Sequence, residues 1–402
     1  MKRVMVIAGG KWQVPLLKKL KCMGFEIVCS NLYPDSVGFQ YADYCEVADV
    51  RDWDKNLDIA KKYKVDAVFT DQSDIAVPTA AYVSEQLGLR TIGIKLAELF
   101  TNKYCMREYL KENTFPYPEF KICKELNEAK QFFIDLKHDA IIKPLDSQSS
   151  RGIYEIHVLE DLDRYFDNTK SNSKDQSSVL IERYVQGTEF TVDGIVVDGK
   201  HHTLAISEKS HYDFNQNVAD ALYFSYSNDT YDYNALRKLN DEIIQSTGLP
   251  FGLTHAEYKL ENGTFYLIEM AARGGGTKIS SDIVPYMTGI DNYALWIHSV
   301  LDDKIEYPII DLEEEMKKRY MVLQFLDYPV EGRKIKEICG VEDIKALEQI
   351  YDFGLNIQAG DVLKKATDDS NRIGYYIAKG SSVEDLKEIK TKVMERLSIR
   401  FE

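Results

Sequence analysis

Residues 254–276, "THAEYKLENGTFYLIEMAARGGG", hold two glutamates and an arginine in a short span: Glu257, Glu269 and Arg273, the last followed by three glycines. The run reads as a β-hairpin about Asn262 and Gly263. Side chains alternate across a strand, so register decides whether the two carboxylates meet. A two-residue loop would set Glu257 opposite Ile268 and turn Glu269 to the other face. A three-residue loop sets Glu257 opposite Glu269 and gathers Ala256, Tyr258 and Leu260 against Met270, Ile268 and Tyr266, so apolar burial favours that register. Facing carboxylates repel unless a cation lies between them or one is protonated. A hard divalent ion, magnesium above all, takes such oxygen pairs and completes its shell with water and substrate phosphates. The guanidinium and the unshielded N–H groups of the glycines could then hold an anion carried by that metal. Solvated glutamates on an exposed strand pair are the competing reading.

Two further stretches have the composition of ligand loops. In "DAIIKPLDSQSSRGI", Lys143 closes an apolar strand and a hydroxyl-rich loop follows through Ser149, Ser150, Arg151 and Gly152. Such a loop offers backbone and hydroxyl donors to phosphate oxygens, with the lysine as a point charge. The G-x-x-x-x-G-K-[ST] order of a Walker loop is absent, and an ordinary serine-rich turn reads equally well from these residues. In "VLIERYVQGTEFTVDG", Glu182 and Glu189 bracket a turn at Gly187. An adenine could stack there on apolar walls while backbone groups of Arg183, Tyr184 and Val185 read its edge. Two glutamates on a solvent edge is the alternative.

The elements that must position these residues follow from hydrophobic patterning. Over the first 95 residues short apolar runs ("VMVIAG", "FEIVCSN", "VDAVFTD", "RTIGI") alternate with helical patterns, a βαβ rhythm that implies a mostly parallel sheet. "AGGKWQ" lies at the first strand-to-helix turn but lacks the dinucleotide fingerprint, so a tight turn is expected and a Rossmann dehydrogenase is disfavoured. A helix over "LAELFTNKYCMREYLKEN" leads to the prolines of "FPYPEF", and a smaller α+β unit follows, interrupted by a polar surface loop at "NTKSNSKDQSS". Strands dominate from 186 to 310, with one helix near "YNALRKLNDEIIQSTG". The last 90 residues give strands at "RYMVLQFLD" and "IGYYIAKG", and a helix opened by Ser381 and Glu384 at capping-box spacing. The expected domains are thus 1–97, 98–185, 186–310 and 311–402, in a multidomain α/β and α+β chain.

Bulk composition narrows the class. A length of 402 residues with 44% hydrophobic and 29% charged residues fits a globular enzyme, and the length alone suggests two or three domains. A formal net charge of −15 argues against nucleic acid or an anionic membrane as partner, since both demand a basic face. The six cysteines show no metal-ligand spacing. With no signal-like or membrane-spanning segment, a cytoplasmic location is expected.

The order of these motifs carries more than any one of them. Lys103, "IIKPLDSQSSRGI", "LIERYVQGTEF", "THAEYKL" and "LIEMAARGGG" together resemble the successive signatures of the ATP-grasp superfamily, over the whole chain. The resemblance implies an ATP-grasp fold with a Rossmann-like pre-ATP-grasp domain, two grasping subdomains and a small C-terminal domain. It also implies a reaction in which ATP phosphorylates a carboxylate and an amine attacks the acyl phosphate. By motif position, Lys103 and Lys143 would touch the nucleotide phosphates, Glu182 and the Arg183–Val185 backbone the adenine, and Glu189 the ribose. Ser149, Ser150 and Gly152 would form the phosphate loop, with Lys209 a further phosphate candidate or a surface lysine. Glu257 and Glu269 would hold Mg2+, for which Mn2+ can substitute, and Arg273 would steady the acyl phosphate and the following oxyanion. The implied partners are a small carboxylate and an amine, and the chain could pair as a homodimer.

Two departures from the family pattern stand out. Gln148 and serines replace phosphate-loop glycines, and Ala271 stands where an asparagine usually ligates metal, so a full second magnesium site is in doubt. "IEMAAR" with "THAEYKL", and "GYYIAKGSSVEDLKE" near the C-terminus, resemble the bacterial L-amino-acid ligase branch. The rival readings are enzymes using formyl phosphate or carboxyphosphate, such as purine-synthesis, carbamoyl-phosphate or biotin carboxylase relatives, and a catalytically silent ATP-binding regulatory module. His255 reads as a satisfied structural histidine.

Overall fold

The computed structural model describes residues 2–146, 151–173, 176–302, 313–366 and 371–402. Its N-terminal unit is a parallel sheet in the order Tyr44–Val47, Glu26–Asn31, Arg3–Ile7, Ala67–Phe69. Met5, Ile7 and Val28 face one buried layer and Val4, Val6 and Ile27 the other, as expected of strands covered on both sides. "AGGKWQ" is the expected tight turn, with the Gly9 carbonyl accepting from Gly38 N–H at 2.9 Å. "RTIGI" is not a strand. It is a connection in which the Thr91 hydroxyl accepts from Gly93 N–H, and helix Ile94–Leu99 begins within it. The fourth strand is instead Tyr44–Val47, which alternates half-buried and exposed residues rather than presenting an apolar run.

The long helix expected over residues 96–113 is two helices, Ile94–Leu99 and Lys103–Glu112. Asn102 breaks it by capping the second, its side-chain oxygen accepting from Tyr104 N–H and Cys105 N–H. Lys103 therefore opens a helix whose buried face carries Met106, Arg107 and Leu110. The next unit is an antiparallel sheet in the order Phe120–Cys123, Val179–Arg183, Ala140–Lys143, Tyr154–Ile156. Its core includes Cys123, Ile142, Leu162, Phe166 and Ile181. Part of the expected polar loop is helical, since Leu159–Ser171 runs through Asn168 and Lys170, whose exposed face needs no apolar partner.

A third sheet has eight strands, ordered Thr264–Ala271, Gly252–Glu261, Thr188–Val197, Lys200–Tyr212, Asn215–Ser225, Tyr320–Phe325, Gly374–Gly380, Ile350–Leu355. The strands after residue 311 thus extend the sheet that carries the acidic hairpin, and Ile335–Cys339 pairs separately with Ser398–Phe401. In the closing helix, Val383–Arg396, the cap is Ser382 accepting from Asp385 N–H, one residue later than the expected Ser381 and Glu384. Ser381 serves the same end by donating its N–H and hydroxyl to Asp385.

Candidate active site

The acidic hairpin reaches the expected pairing by an unexpected route. Asn262 and Gly263 form a two-residue turn, with φ of 50° and 79°, and Glu261 pairs with Thr264. Two consecutive positive φ values are the signature of the tight hairpin turn that asparagine–glycine favours. The three-residue loop is therefore a correction: the partners are Leu260 with Phe265 and Tyr258 with Leu267. A β-bulge between Glu257 and Tyr258 then absorbs Ile268 and restores the opposition of Glu257 to Glu269 and of Ala256 to Met270. The bulge carbonyl of Ile268 accepts a hydrogen bond from Arg107 Nη2 at 2.7 Å.

Glu257 and Glu269 open on a cleft of about 540 Å³, together with Glu189, Lys209, His255 and Arg273. The N-terminal unit contributes Gln72 and Asp74, and the C-terminal strands Leu323, Phe325 and Tyr375. Each carboxylate in the cleft is matched by a cation. Lys103 Nζ lies 3.0 Å from Glu269, and Lys209 Nζ lies 2.5 Å from Glu189 and 2.8 Å from Glu257. Lys209, largely but not fully buried, thus bridges two acids and is not a surface lysine. Burial alone would raise the Glu189 pKa, but Lys209 and the hydrogen bond from His211 bring it down to about 2. Glu257 is lowered in the same way, against burial, by Lys209 and His255. Burial disfavours the charged imidazole of His255, yet its contact with Asp193, 2.9 Å from Nδ1, raises the pKa to about 9. At neutral pH His255 is an imidazolium placed 3.8 Å from Glu257.

Arg273 points into this cleft and not into open solvent. Its Nε and Nη2 donate to the two oxygens of Asp74 at 2.8 and 2.6 Å, a bidentate pair across the chain from the N-terminal unit. The glycines that follow are seated on buried acids. Gly274 N–H donates to Asp71 Oδ1 at 2.9 Å, and Asp71 also accepts from the Tyr293 hydroxyl. A Cβ on Gly275 would press on Asp193 Oδ1 and come within 3.0 Å of His255 Nδ1. Close backbone approach to buried polar groups is therefore what this glycine supplies.

A second cluster lies behind the cleft. Glu182 is buried, taking two hydrogen bonds from Arg107, at 2.7 and 3.3 Å, and one ion pair from Lys143. Burial pushes the Glu182 carboxyl up, but the two cations overcome it and hold it at about 2. Burial lowers Lys143 and Glu182 opposes that; Arg107 and Lys103 lie close enough to add to the lowering. Beside the cluster, Arg183 N–H and Tyr184 N–H donate to the carbonyls of Glu119 and Asp139, and Arg183 pairs with Glu261 at 2.7 Å. Val185 is buried next to them. Gly152 has φ of 71°, and its carbonyl accepts from Thr169 at 2.9 Å. Ser149 and Ser150 lie outside the described residues.

The structure thus gathers Lys103, Glu189, Lys209, Glu257, Glu269 and Arg273 at one place, and Lys143 with Glu182 at its back. The sequence reading missed Arg107, Asp71, Asp74 and Asp193. Asp71 and Asp74 follow strand Ala67–Phe69, at the carboxyl end of a parallel sheet where ligand-site loops cluster, and that position was a usable signal. Arg107 had none, since an arginine on a helix usually faces water.

No group of three or more His, Cys, Asp or Glu side chains that could hold a metal is found among the described residues. Two opposed carboxylates suit magnesium all the same, because that ion is commonly held by one or two carboxylates plus phosphate oxygens and water. Ala271 is buried and adds no ligand.

Comparison with known proteins bears on the domains and the fold. Residues 136–282 match an ATP-grasp domain, and residues 324–402 match the L-amino acid ligase C-terminal domain 2. Dapdiamide A synthase of Enterobacter agglomerans is 25% identical over 181 residues, 44% of this chain and 42% of that protein, so the alignment spans less than half of this relative. An L-arginine-specific L-amino acid ligase of Bacillus subtilis is 23% identical over 299 residues, 73% of this chain and 70% of the relative. The fold is that of an L-amino acid ligase crystal structure from Bacillus licheniformis, with a TM-score of 0.81 at 19% identity over 100% of this chain and 99% of that one. The chain thus carries an ATP-grasp domain followed by an L-amino acid ligase C-terminal domain, on an ATP-grasp fold.

Proposed function

We propose that the protein is an ATP-dependent carboxylate–amine ligase that activates a small carboxylate as an acyl phosphate and joins it to an amine, with an amino acid as a substrate. The observation that carries this reading is the opposition of Glu257 and Glu269 in a cleft that also presents Arg273. Those two carboxylates would hold magnesium, which would supply positive charge against the nucleotide phosphates. Lys103, buried beside Glu269, and Lys143 behind the site supply two further positive charges for the phosphates. Glu182 keeps Lys143 charged and in place, and Glu189 offers a carboxylate to the ribose hydroxyls. Buried Val185, with the Arg183 and Tyr184 backbone, makes the adenine wall.

In the first step a carboxylate oxygen attacks the γ-phosphorus and ADP leaves. In the second the amine nitrogen attacks the acyl carbon, phosphate departs and the nitrogen loses a proton. Both steps gather negative charge on oxygen, and the Arg273 guanidinium, fixed by Asp74, is preorganised to stabilise it. No side-chain nucleophile is needed. Residues 1–97 and 311–402 act as the walls that close the substrate end, and the six free thiols suit a reducing, cytoplasmic setting.

Incubation with magnesium-ATP, hydroxylamine and single amino acids tests the reading. Release of ADP with formation of a hydroxamate from at least one amino acid is expected; nucleotide binding with no hydroxamate from any small carboxylic acid would favour a silent ATP-binding module.

A further inference from the structure

Charge is divided unevenly within the cleft. The four carboxylates that line it, Asp74, Glu189, Glu257 and Glu269, are each joined to Arg273, Lys209 or Lys103. The remaining wall is built from Trp12, Leu222, Leu323, Phe325 and Tyr375, and its charged side chains are Lys11 and Arg372. Arg372 lies flat on Phe325, 3.4 Å from the ring centroid, and donates to the Ala219 carbonyl. Lys11 Nζ sits 4.8 Å from the Trp12 ring and 5.4 Å from the Tyr375 ring, and its hydrogen-bond partner is the neutral Asn356 side chain at 3.2 Å. Asp352, the acid that acts on Lys11, is already held by Lys278 at 2.7 Å and by the Tyr375 hydroxyl at 2.7 Å. Trp12 and Tyr375 meet edge to face at 5.7 Å, so the rings that carry the ammonium are themselves fixed. Lys11 and Tyr375 also line an adjoining groove whose rim adds Lys18, Lys19 and Lys278 against Asp282 and Asp291. A basic approach of this kind, in a chain of net charge −15, would steer an anion towards the cleft.

We infer that this aromatic, cationic wall binds a second carboxylate of the amino acid substrate, one that does not react, with Lys11 as its principal cation. The inference rests on the ligase reading above. An apolar surface with one oriented ammonium selects a molecule that brings its own negative charge, because an ammonium held over aromatic rings and a neutral amide is completed by an anion. Two sources share this chemistry: the α-carboxylate of the amino acid whose amine attacks, or a side-chain carboxylate of either substrate.

Calorimetric binding of amino acids to the magnesium-nucleotide-loaded protein, alongside product formation, separates them. One arm compares L-alanine with L-alaninamide, the other L-aspartate with L-asparagine and L-glutamate with L-glutamine. Neutralising the recognised carboxylate should weaken binding and raise KM by about tenfold or more, the scale of one charge-assisted contact. Lys11→Met should erase that difference and Lys11→Arg should keep it. Sensitivity in the first arm assigns the wall to the α-carboxylate and in the second to a side chain. Indifference in both arms, or a Lys11→Met protein that still discriminates, overturns the inference. Because binding is read without turnover, such a result is distinct from absence of hydroxamate, which would count against the ligase reading instead.

Discussion

Replacing Glu182 by glutamine isolates the buried cluster that ties the four-stranded antiparallel sheet to the acidic hairpin. In the wild type Glu182 is 1% exposed, and its pKa falls from an ordinary 4.5 to about 2, held there by Arg107 and Lys143 against the cost of burial. A shift of that size corresponds to about 3 kcal/mol of stabilisation at neutral pH. Removing the charge also leaves two buried cations facing each other, so the observed loss should reach about 3 to 5 kcal/mol. Hydrogen exchange in strands Ala140–Lys143 and Val179–Arg183 reads this locally, where 3 kcal/mol is about a 150-fold loss of protection. The sign with pH follows from the depressed pKa. The contribution is complete above pH 4.5 and disappears as pH falls towards 2, so wild type and Glu182→Gln should converge across that window. A loss of less than about 1 kcal/mol at neutral pH, on the scale of an exposed ion pair, would refute the reasoning that this cluster is a closed, mutually supporting unit.

Other substitutions probe the surrounding positions. Gly275→Ala should destabilise by about 1 to 3 kcal/mol in a urea titration, since the new methyl group presses on the Asp193–His255 pair; an unchanged midpoint would show that the loop can yield there. The His255 pKa is raised from 6.5 to about 9, so its contribution is complete below pH 6.5 and is lost as pH rises through 9. The stability gap between wild type and His255→Gln, in thermal melts, should therefore shrink above pH 9, and a constant gap would point to packing instead. Asp74→Asn should leave nucleotide affinity within about twofold while lowering kcat by about tenfold or more, because it frees the guanidinium that must meet developing charge; an unchanged kcat would show that Arg273 needs no such support.

Much of the site was legible because its residues announce themselves in pairs. Glu257 and Glu269 lie on arms of a hairpin whose turn sequence is unambiguous, and apolar alternation demanded that they meet. The turn length is not legible, because an asparagine–glycine turn and a bulge at Ile268 give the same final pairing as a longer loop, and a bulge leaves no mark in the polar–apolar pattern. From sequence Lys209 reads as a phosphate candidate or a surface lysine, since a lone lysine in a strand does not reveal that Glu189 on the adjacent strand and Glu257 on the strand beyond it both reach its ammonium. Asp74 and Asp193 escaped for a related reason: their partners, Arg273 and His255, are 199 and 62 residues away in sequence. Contacts of that range are set by how whole units pack. The strand predicted at "RTIGI" shows the reverse failure, a β-branched run that tertiary packing leaves as a connection.

The most direct measurement is turnover by Glu269→Gln and Arg273→Ala in the magnesium-ATP and hydroxylamine assay, with folding verified by circular dichroism. Native spectra in both variants and product formation reduced by at least about a thousandfold are expected, the scale for groups proposed to meet the transferring phosphoryl. Near-normal hydroxamate and ADP release from either well-folded variant would contradict that role.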